Sequence, residues 1–378
     1  MKSIFSSVAA TLKHLAVHQK HKAGHGADKL LILGILIMSL FGVLMVYDSS
    51  VAIAIRDFSN QYYYVNEQLK WLFVGAIVFI ICSTIHYKVW YQFALPALFG
   101  TMFLLLAVFL PGLGVHALGA HRWINLGLFV LQPAELSKLA IIIYLSAWFS
   151  HPEHNRFFSF LLLLLMTVGL VLIEPDLGTS IIILLIGICM YYFAGSPIHH
   201  LALLFPVIAG GVLVLALIAP YRVARLTTFL NPQSDPLGSS YQIRQVLIAL
   251  GSGGWTGVGI GKSRQKYEYL PEANTDSIFA IIGEETGFVG AIATIVLFLF
   301  IIWRGFRIAV HAPDPFSRLL TLGISSWIAV QTLINLGAMV RVIPLTGVPL
   351  PFVSYGGSSF IILFAAMGIV LNISKYNK

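Results

Sequence analysis

Long apolar runs alternate with short polar breaks along this chain, and the runs are of membrane-crossing length. Stretches such as LLILGILIMSLFGVLMV (30–46) and TIVLFLFIIW (294–303) hold no charge. A helix needs about 20 such residues to cross about 30 Å of hydrocarbon. The pattern predicts ten spans, near 29–47, 69–86, 91–110, 133–149, 158–174, 177–194, 199–219, 276–303, 318–340 and 355–374. The second, fourth and fifth are short for a straight crossing, so they can tilt or pack deep. Between spans seven and eight lies a polar segment of about 55 residues, 220–275. The expected architecture is an all-α polytopic membrane protein. It has a basic tail (1–28), one membrane domain (29–374) with the single large loop 220–275, and a short end (375–378).

Composition agrees. Of 378 residues 58% are hydrophobic and only 10% charged, more apolar surface than a soluble core of this size can hide. The charges that remain fix an orientation. With the N-terminus inside, the inner segments hold Lys13, Lys20, Lys22, Lys88, Arg156, Arg304, Arg307 and Arg318. The short outer loops hold Arg56, Lys70, Arg122 and Arg341. This asymmetry places both termini in the cytoplasm and the 220–275 loop outside. It also accounts for the net charge of +8 without a nucleic-acid partner. Cys82 and Cys189 lie inside apolar runs and read as packing residues. The histidines of the tail read as solvated linker, with metal binding as the alternative.

Polar residues that invade this apolar background gather on the expected outer side. The loop holds Gly251, Gly253, Gly254, Gly257, Gly259 and Gly261, followed by Arg264 and Lys266. Such a loop can turn its N–H groups towards a phosphate, or simply pack as a re-entrant segment. Next, "LPEANTDSIFAIIGEETG" puts Glu272 and Asp276 at the mouth of span eight. Asp276 there either offsets the helix dipole or serves chemistry. Gly283 and Gly287 form a small-xxx-small pair that lets this helix pack closely, and Glu284 and Glu285 must face protein or water. "HRWINLGLFVLQPAELSKL" carries Arg122, Gln132, Glu135 and Lys138, the last two sharing a helix face and able to pair. "LIEPDLGTS" brings Glu174 and Asp176 to a hairpin, where Asp176 can cap. "RVIPLTGVPLPFVSYGGSS" brings irregular backbone and Ser354, tolerated at a membrane where it lines a cavity or is covered by protein. Together these segments describe an outward-facing site for an anionic, lipid-linked substrate.

These same motifs, with GKSRQKYEYLPEANTDSIFAIIGEETG and PLTGVPLPFVSYGGSS foremost, resemble the SEDS (shape, elongation, division, sporulation) family over about residues 29–374. The wording around 263–285 is closer to its division-type and sporulation-type members than to its elongation-type members. The resemblance implies a ten-helix peptidoglycan glycosyltransferase that polymerises lipid II and works in septal synthesis beside a class B penicillin-binding protein and other division proteins. It implies Asp276 as general base towards the acceptor 4-hydroxyl. It places Gln132, Pro133, Glu135 and Lys138 on a second family motif. Many members carry an arginine where this chain has Val130, so pyrophosphate neutralisation falls to Lys138, Arg122, the loop cations or a divalent cation such as Mg or Mn. Spans eight and nine, with small residues among bulky ones, either pack inside the bundle or meet the partner's single helix.

A lipid II flippase is the competing class, but it needs polar groups opening alternately to both faces, and these charges gather at one mouth. A scaffold has no use for buried acids. An elongation-type polymerase is the nearest alternative within the family. Cysteines introduced at Ser3 and Ser239 are expected to label from opposite sides of the membrane with an impermeant maleimide. Same-side labelling would overturn the orientation.

Overall fold

The computed structural model describes residues 26–117, 120–125, 127, 129–151, 156–197, 199–200, 202, 210–211, 223, 228–230, 240–267 and 269–377. The tail before Gly26, most of the expected seventh span and most of 220–239 lie outside these residues. The other nine expected spans are helical. They are α1 (Lys29–Phe58), α2 (Tyr63–Thr84), the pair α3 (Lys88–Gln92) and α4 (Ala94–Ala107), α5 (Pro133–Phe149), α6 (Phe157–Ile173), α7 (Leu177–Phe193), α9 (Ile278–Val310), α10 (Pro315–Met339) and α11 (Gly357–Ser374). An amphipathic loop helix, α8 (Tyr241–Ser252), precedes α9 as its pattern predicts.

The helix starts are written in the sequence. Asp28 accepts the Leu31 N–H at 2.9 Å to open α1, and Asp176 accepts the Thr179 N–H at 3.0 Å to open α7. Asp314 and Ser317 form a reciprocal capping box with Pro315 in the first turn of α10. Pro133 opens α5 in the same way. Helix α2 opens at Tyr63 rather than at the expected 69, and α9 runs to Val310 rather than 303; two further differences bear on the site. Helix α1 runs on to Phe58, so Asp48 lies on it, not in a loop; a left-handed Ser59 (φ 52°) ends it. A charge inside an apolar run reads as a boundary unless its partner is known, and the partner of Asp48 is far along the chain. The second difference is a three-stranded antiparallel sheet before α5: β1 (Gly114–Ala117), β2 (Ala120–Asn125) and β3 (Val130–Leu131).

Helix α10 is the axis of the bundle. It packs against α5, α7, α9 and α11, and its Trp327 is 1% exposed. Helices α2 and α11 form another extensive pairing, and Gly75, Gly357 and Gly368 let Phe364, Trp71 and the Phe79 carbonyl approach. Outside the core the surface is apolar: Phe73, Phe99, Phe103, Phe158 and Leu162 are each at least 60% exposed. Only a bilayer makes such a surface stable, and among the described residues five helices are long and apolar enough to cross one. The chain is a polytopic helical membrane protein.

Helix α9 is broken. Its ladder is interrupted at Gly287, which adopts φ 66° and ψ −166°. Residues 254–259 of the loop fill the interruption. Val258 and Gly259 donate to the carbonyls of Glu284 and Glu285, both at 3.0 Å. Phe288 and Val289 donate to the carbonyls of Gly254 and Trp255, at 2.9 and 3.1 Å. Four backbone groups at the break thus find partners in the loop. A Cβ on Gly257 would collide with the Glu285 carbonyl, and its φ of +79° disfavours other residues. Gly257→Ala is therefore expected to cost about 1–3 kcal/mol and lower the thermal midpoint in detergent. Gly251→Ala, where a Cβ meets nothing within 4 Å, is the control and should leave the midpoint unchanged.

Candidate functional site

Asp276 sits at the meeting point of α9, α10 and the proline-rich segment 341–356. It lies one residue before Ser277, the N-cap of α9, rather than in the helix's first turn. Its backbone carbonyl accepts from Asn335 Nδ2 of α10 at 2.8 Å, and the same Nδ2 donates to the Val348 carbonyl at 2.8 Å. Its carboxylate lies 3.8 Å from where a Cβ on Gly347 would stand. On its other side the Ser354 hydroxyl donates to the Thr275 carbonyl at 2.5 Å and accepts the Leu350 N–H at 2.8 Å. The Tyr355 N–H donates to the Asn274 carbonyl at 2.9 Å. Four backbone and side-chain ties thus set the position of an acid that is only 8% exposed. Glu272 is exposed, at φ 53°, and its carboxylate accepts from the Thr275 hydroxyl at 2.7 Å.

The second motif joins this group through α10. Glu135 and Lys138 form an ion pair at 2.7 Å, and Lys138 is fully buried. Lys138 also donates to Gln331 Oε1 at 3.0 Å and lies 5.0 Å from the Trp327 ring centroid. Gln331 passes the tie on, donating to the Pro349 carbonyl at 2.8 Å. A cavity with about 20 Å³ of space for water lies between Glu135, Gln331, Pro349 and Ser354. That is room for about one water.

Arg122, on β2, donates to the carbonyls of Glu174 and Pro175 at 3.0 and 2.6 Å and so clamps the α6–α7 hairpin. Gln132 donates to Asp176 at 3.2 Å. Gly178, at the start of α7, gives close passage to Val348 and the Thr346 carbonyl, which brings this hairpin onto the proline-rich segment. Val130 exposes its side chain and accepts from the Ser358 hydroxyl at 2.9 Å through its carbonyl.

The glycine-rich loop does something other than the phosphate cradle the sequence suggests. The anion it cradles is the chain's own. Gly261 and Ser263 donate their N–H groups to Glu285, each at 3.0 Å, and Arg264 donates its own to Glu284 at 3.1 Å. The Ser263 hydroxyl donates to Glu284 as well. Lys266 is 4% exposed and bridges Asp48 at 2.7 Å and Glu285 at 3.0 Å. Burial works against its charge, but the hydrogen bonds and attraction of the two carboxylates hold its pKa above the ordinary lysine value. Of Arg264 and Lys266 only Arg264 is exposed, as are Arg244 and Lys262 of the same loop.

Arg122, Gln132, Glu135, Lys138, Glu174, Asp276 and Ser354 are thus linked through one connected set of ties. Glu272 stands at its rim, and Lys266 belongs to the neighbouring carboxylate cluster. Gln331 and Asn335 complete the network and Asp48 the cluster, but the three were not among the residues expected from sequence. The i, i+4 pair Gln331 and Asn335 in the apolar run AVQTLINLG was the signal that could have found two of them. Among the described residues no group of three or more His, Cys, Asp or Glu side chains is arranged to hold a metal ion.

A helical membrane protein whose candidate site residues gather at one end of the bundle defines the class. The chain matches the FtsW/RodA/SpoVE model, described as cell cycle protein, over residues 28–378, and it belongs to that family. It is 39% identical to the stage V sporulation protein E of Bacillus subtilis, over 93% of this chain and 98% of that protein. It is 36% identical to a probable peptidoglycan glycosyltransferase FtsW of a Geobacter species, over 92% and 97% of the two chains. Among solved structures it superposes on a chain of a peptidoglycan synthase complex with a TM-score of 0.77 at 26% identity, covering 92% of this chain and 97% of that one. Rod shape determining protein RodA of Thermus thermophilus follows at 0.68 and 25%, covering 92% and 96%.

Glu174 offers a test of this geometry. It caps the end of α6, is fully buried, and neither carboxyl oxygen has a hydrogen-bond partner among the described residues. Burial first, then the charge of Asp176, pushes its pKa up to about 9 against the pull of Arg122. An acid raised in this way keeps its proton in the fold but loses it in the unfolded chain above the ordinary value of 4.5. Its contribution is therefore full below that value and is lost as pH climbs to about 9. Glu174→Gln is expected to be more stable than the parent, with the gap in thermal midpoint widening from pH 5 to pH 9. A constant gap would contradict a neutral Glu174.

Proposed function

We propose that this chain, a peptidoglycan glycosyltransferase of the septal type, uses lipid II and the nascent glycan lipid as its two substrates and Asp276 as its general base. The observation that carries the reading is the position of Asp276. Asn335 and the Thr275–Ser354 contact hold the backbone around this mostly buried acid, at the end of the bundle where the other candidate motifs meet. Relatives named peptidoglycan glycosyltransferase FtsW support the activity, and their 36–38% identity over nearly the whole chain supports the septal role.

The chemistry is one inverting displacement. Asp276 takes the proton from the acceptor 4-hydroxyl as that oxygen bonds to the donor's anomeric carbon. The bond from that carbon to the lipid pyrophosphate breaks, and the pyrophosphate leaves with the electron pair. The departing charge needs cations that are not already spent. Lys138 and Lys266 are each committed to buried carboxylates, so Arg122 and the outward-facing Arg264 are assigned this role. Fixed cations in a water-poor site stabilise a leaving group by several kcal/mol. The site faces outward from the bacterial cytoplasmic membrane, with both termini in the cytoplasm. A class B penicillin-binding protein crosslinks the product and docks its single helix on the lipid-exposed side of α9. Phe288, Val289 and Ile292 are exposed on the part of that side nearer the site, whereas α10 is interior.

The test is reconstitution of the purified chain with labelled lipid II and the transpeptidase. Asp276→Asn is expected to keep the parental elution profile and lose polymerisation by about 10²–10⁴-fold, the usual effect of removing a general base. If the variant unfolds in detergent while its surviving molecules still make glycan ladders, Asp276 is a structural residue. Transfer of lipid across the membrane without ladders from the parent chain would support the flippase.

A further inference from the structure

The opposite end of the bundle carries a second concave site that the glycosyl transfer does not use. Where α1 begins, α9 ends and α11 ends, a cleft of about 340 Å³ is lined by Asp28, Lys29, Arg304, Arg307, His311 and Asn377. Arg304 pairs with Asp28, which cancels the cleft's single carboxylate. Lys29, Arg307 and His311 are exposed and leave the cleft cationic. The buried Arg304 Nε has no hydrogen-bond partner among the described residues, and neither has Asn377 Oδ1. Both guanidinium groups lie over the Trp303 ring, at 5.3 and 5.5 Å from its centroid, and Trp303 is half exposed.

An apolar seam leads away from the cleft towards the middle of the membrane. On α1, Leu30, Leu33 and Ile37 are about half exposed, and on α9 so are Trp303, Leu299 and Val296. The two helices touch where Gly34 admits Phe300 and Ile301. A cationic cleft at headgroup level, with an apolar seam beneath it, matches one kind of molecule. We propose that this cleft binds the headgroup phosphate of an anionic phospholipid, with the acyl chains lying along the α1–α9 seam. The chain's own leader cannot supply that anion, because residues 1–25 contain four lysines and no carboxylate. A free phosphate shares the headgroup chemistry but gains nothing from the seam.

The test uses the full-length protein, purified in detergent, with lipid retention read by native mass spectrometry against phosphatidylglycerol and phosphatidylcholine. The parent is expected to retain phosphatidylglycerol preferentially. The Lys29→Gln/Arg307→Gln variant is expected to lose about tenfold or more of that retention, since each cation near an anionic headgroup contributes measurably. Arg318→Gln, a charge removed from the same face outside the cleft, is expected to leave it unchanged. Equal retention of both lipids, undiminished retention by the double variant, or an equal loss in Arg318→Gln would overturn the proposal. Full displacement by millimolar inorganic phosphate would also overturn it, because the site would then be one for small soluble anions. Should the double variant fail to elute as a single species, Arg307→Gln replaces it, and retention equal to the parent is again the overturning result.

Discussion

A helix interrupted inside a membrane protein must find partners for every backbone group the interruption frees, because lipid offers none. In this fold that requirement is met at one place, the break of α9 at Gly287, and much of the functional end is organised around it. The loop strand 254–259 enters the gap and completes the ladder with its own N–H and carbonyl groups. Glu284 and Glu285, just before the break, then accept from the next turn of the loop, and Lys266 ties that turn to Asp48 on α1. Removing one partner from such a buried pair typically costs about 3–5 kcal/mol, because it strands a charge. The cluster therefore acts as an anchor. It holds the loop against α9, and α9 in turn presents Asp276 at its start.

A second anchor works from the centre of the bundle. Helix α10 is largely interior, and besides its hydroxyl residues it carries two amides, Gln331 and Asn335, one turn apart. Gln331 takes up the Lys138–Glu135 pair and the Pro349 carbonyl, while Asn335 takes up the carbonyls of Asp276 and Val348. The proline-rich segment lacks regular structure of its own, and these amides supply the donors that its carbonyls need. Close passages at Gly42 and Gly178 bring α1 and α7 onto the same segment. The acid at the site is thus positioned by residues that never need to touch a substrate.

Apolar periodicity made most of the helices legible, and Asp176 was readable as the cap that opens α7; Asp314 was not, and α10 opens at Pro315 rather than at the expected 318. The pairing of Glu135 with Lys138 followed from spacing on one helix face. Long-range pairing was not legible. Asp48 looked like the end of a span because Lys266, which makes it tolerable there, lies in a distant loop. The glycines of 251–261 were legible as tight backbone, but the sequence left open whether their N–H groups served an outside anion or a packed re-entrant segment, because the two glutamates that accept from this loop lie in the next helix. The sheet at 114–131 escaped because its strands are only two to six residues long and sit among glycines. Around Asp276 the motifs were visible as neighbours in a list of outer segments. What joined them was a pair of amides in an apolar helix, which composition alone treats as incidental.

The junction of loop and helix has a consequence for how this sequence can diverge. Gly257 and Gly287 occupy one shared space: a side chain on Gly287 would strike the Gly257 N–H, and one on Gly257 would strike the backbone at Glu285 and Gly287. Neither position can be enlarged first and the other adjusted afterwards, since every single step meets a collision with main chain rather than with a movable side chain. Descendants of this sequence can exchange the bulky residues around the junction one at a time. The two glycines can be given up only if the whole crossing is rebuilt, so they travel as one heritable unit although a full loop of chain separates them.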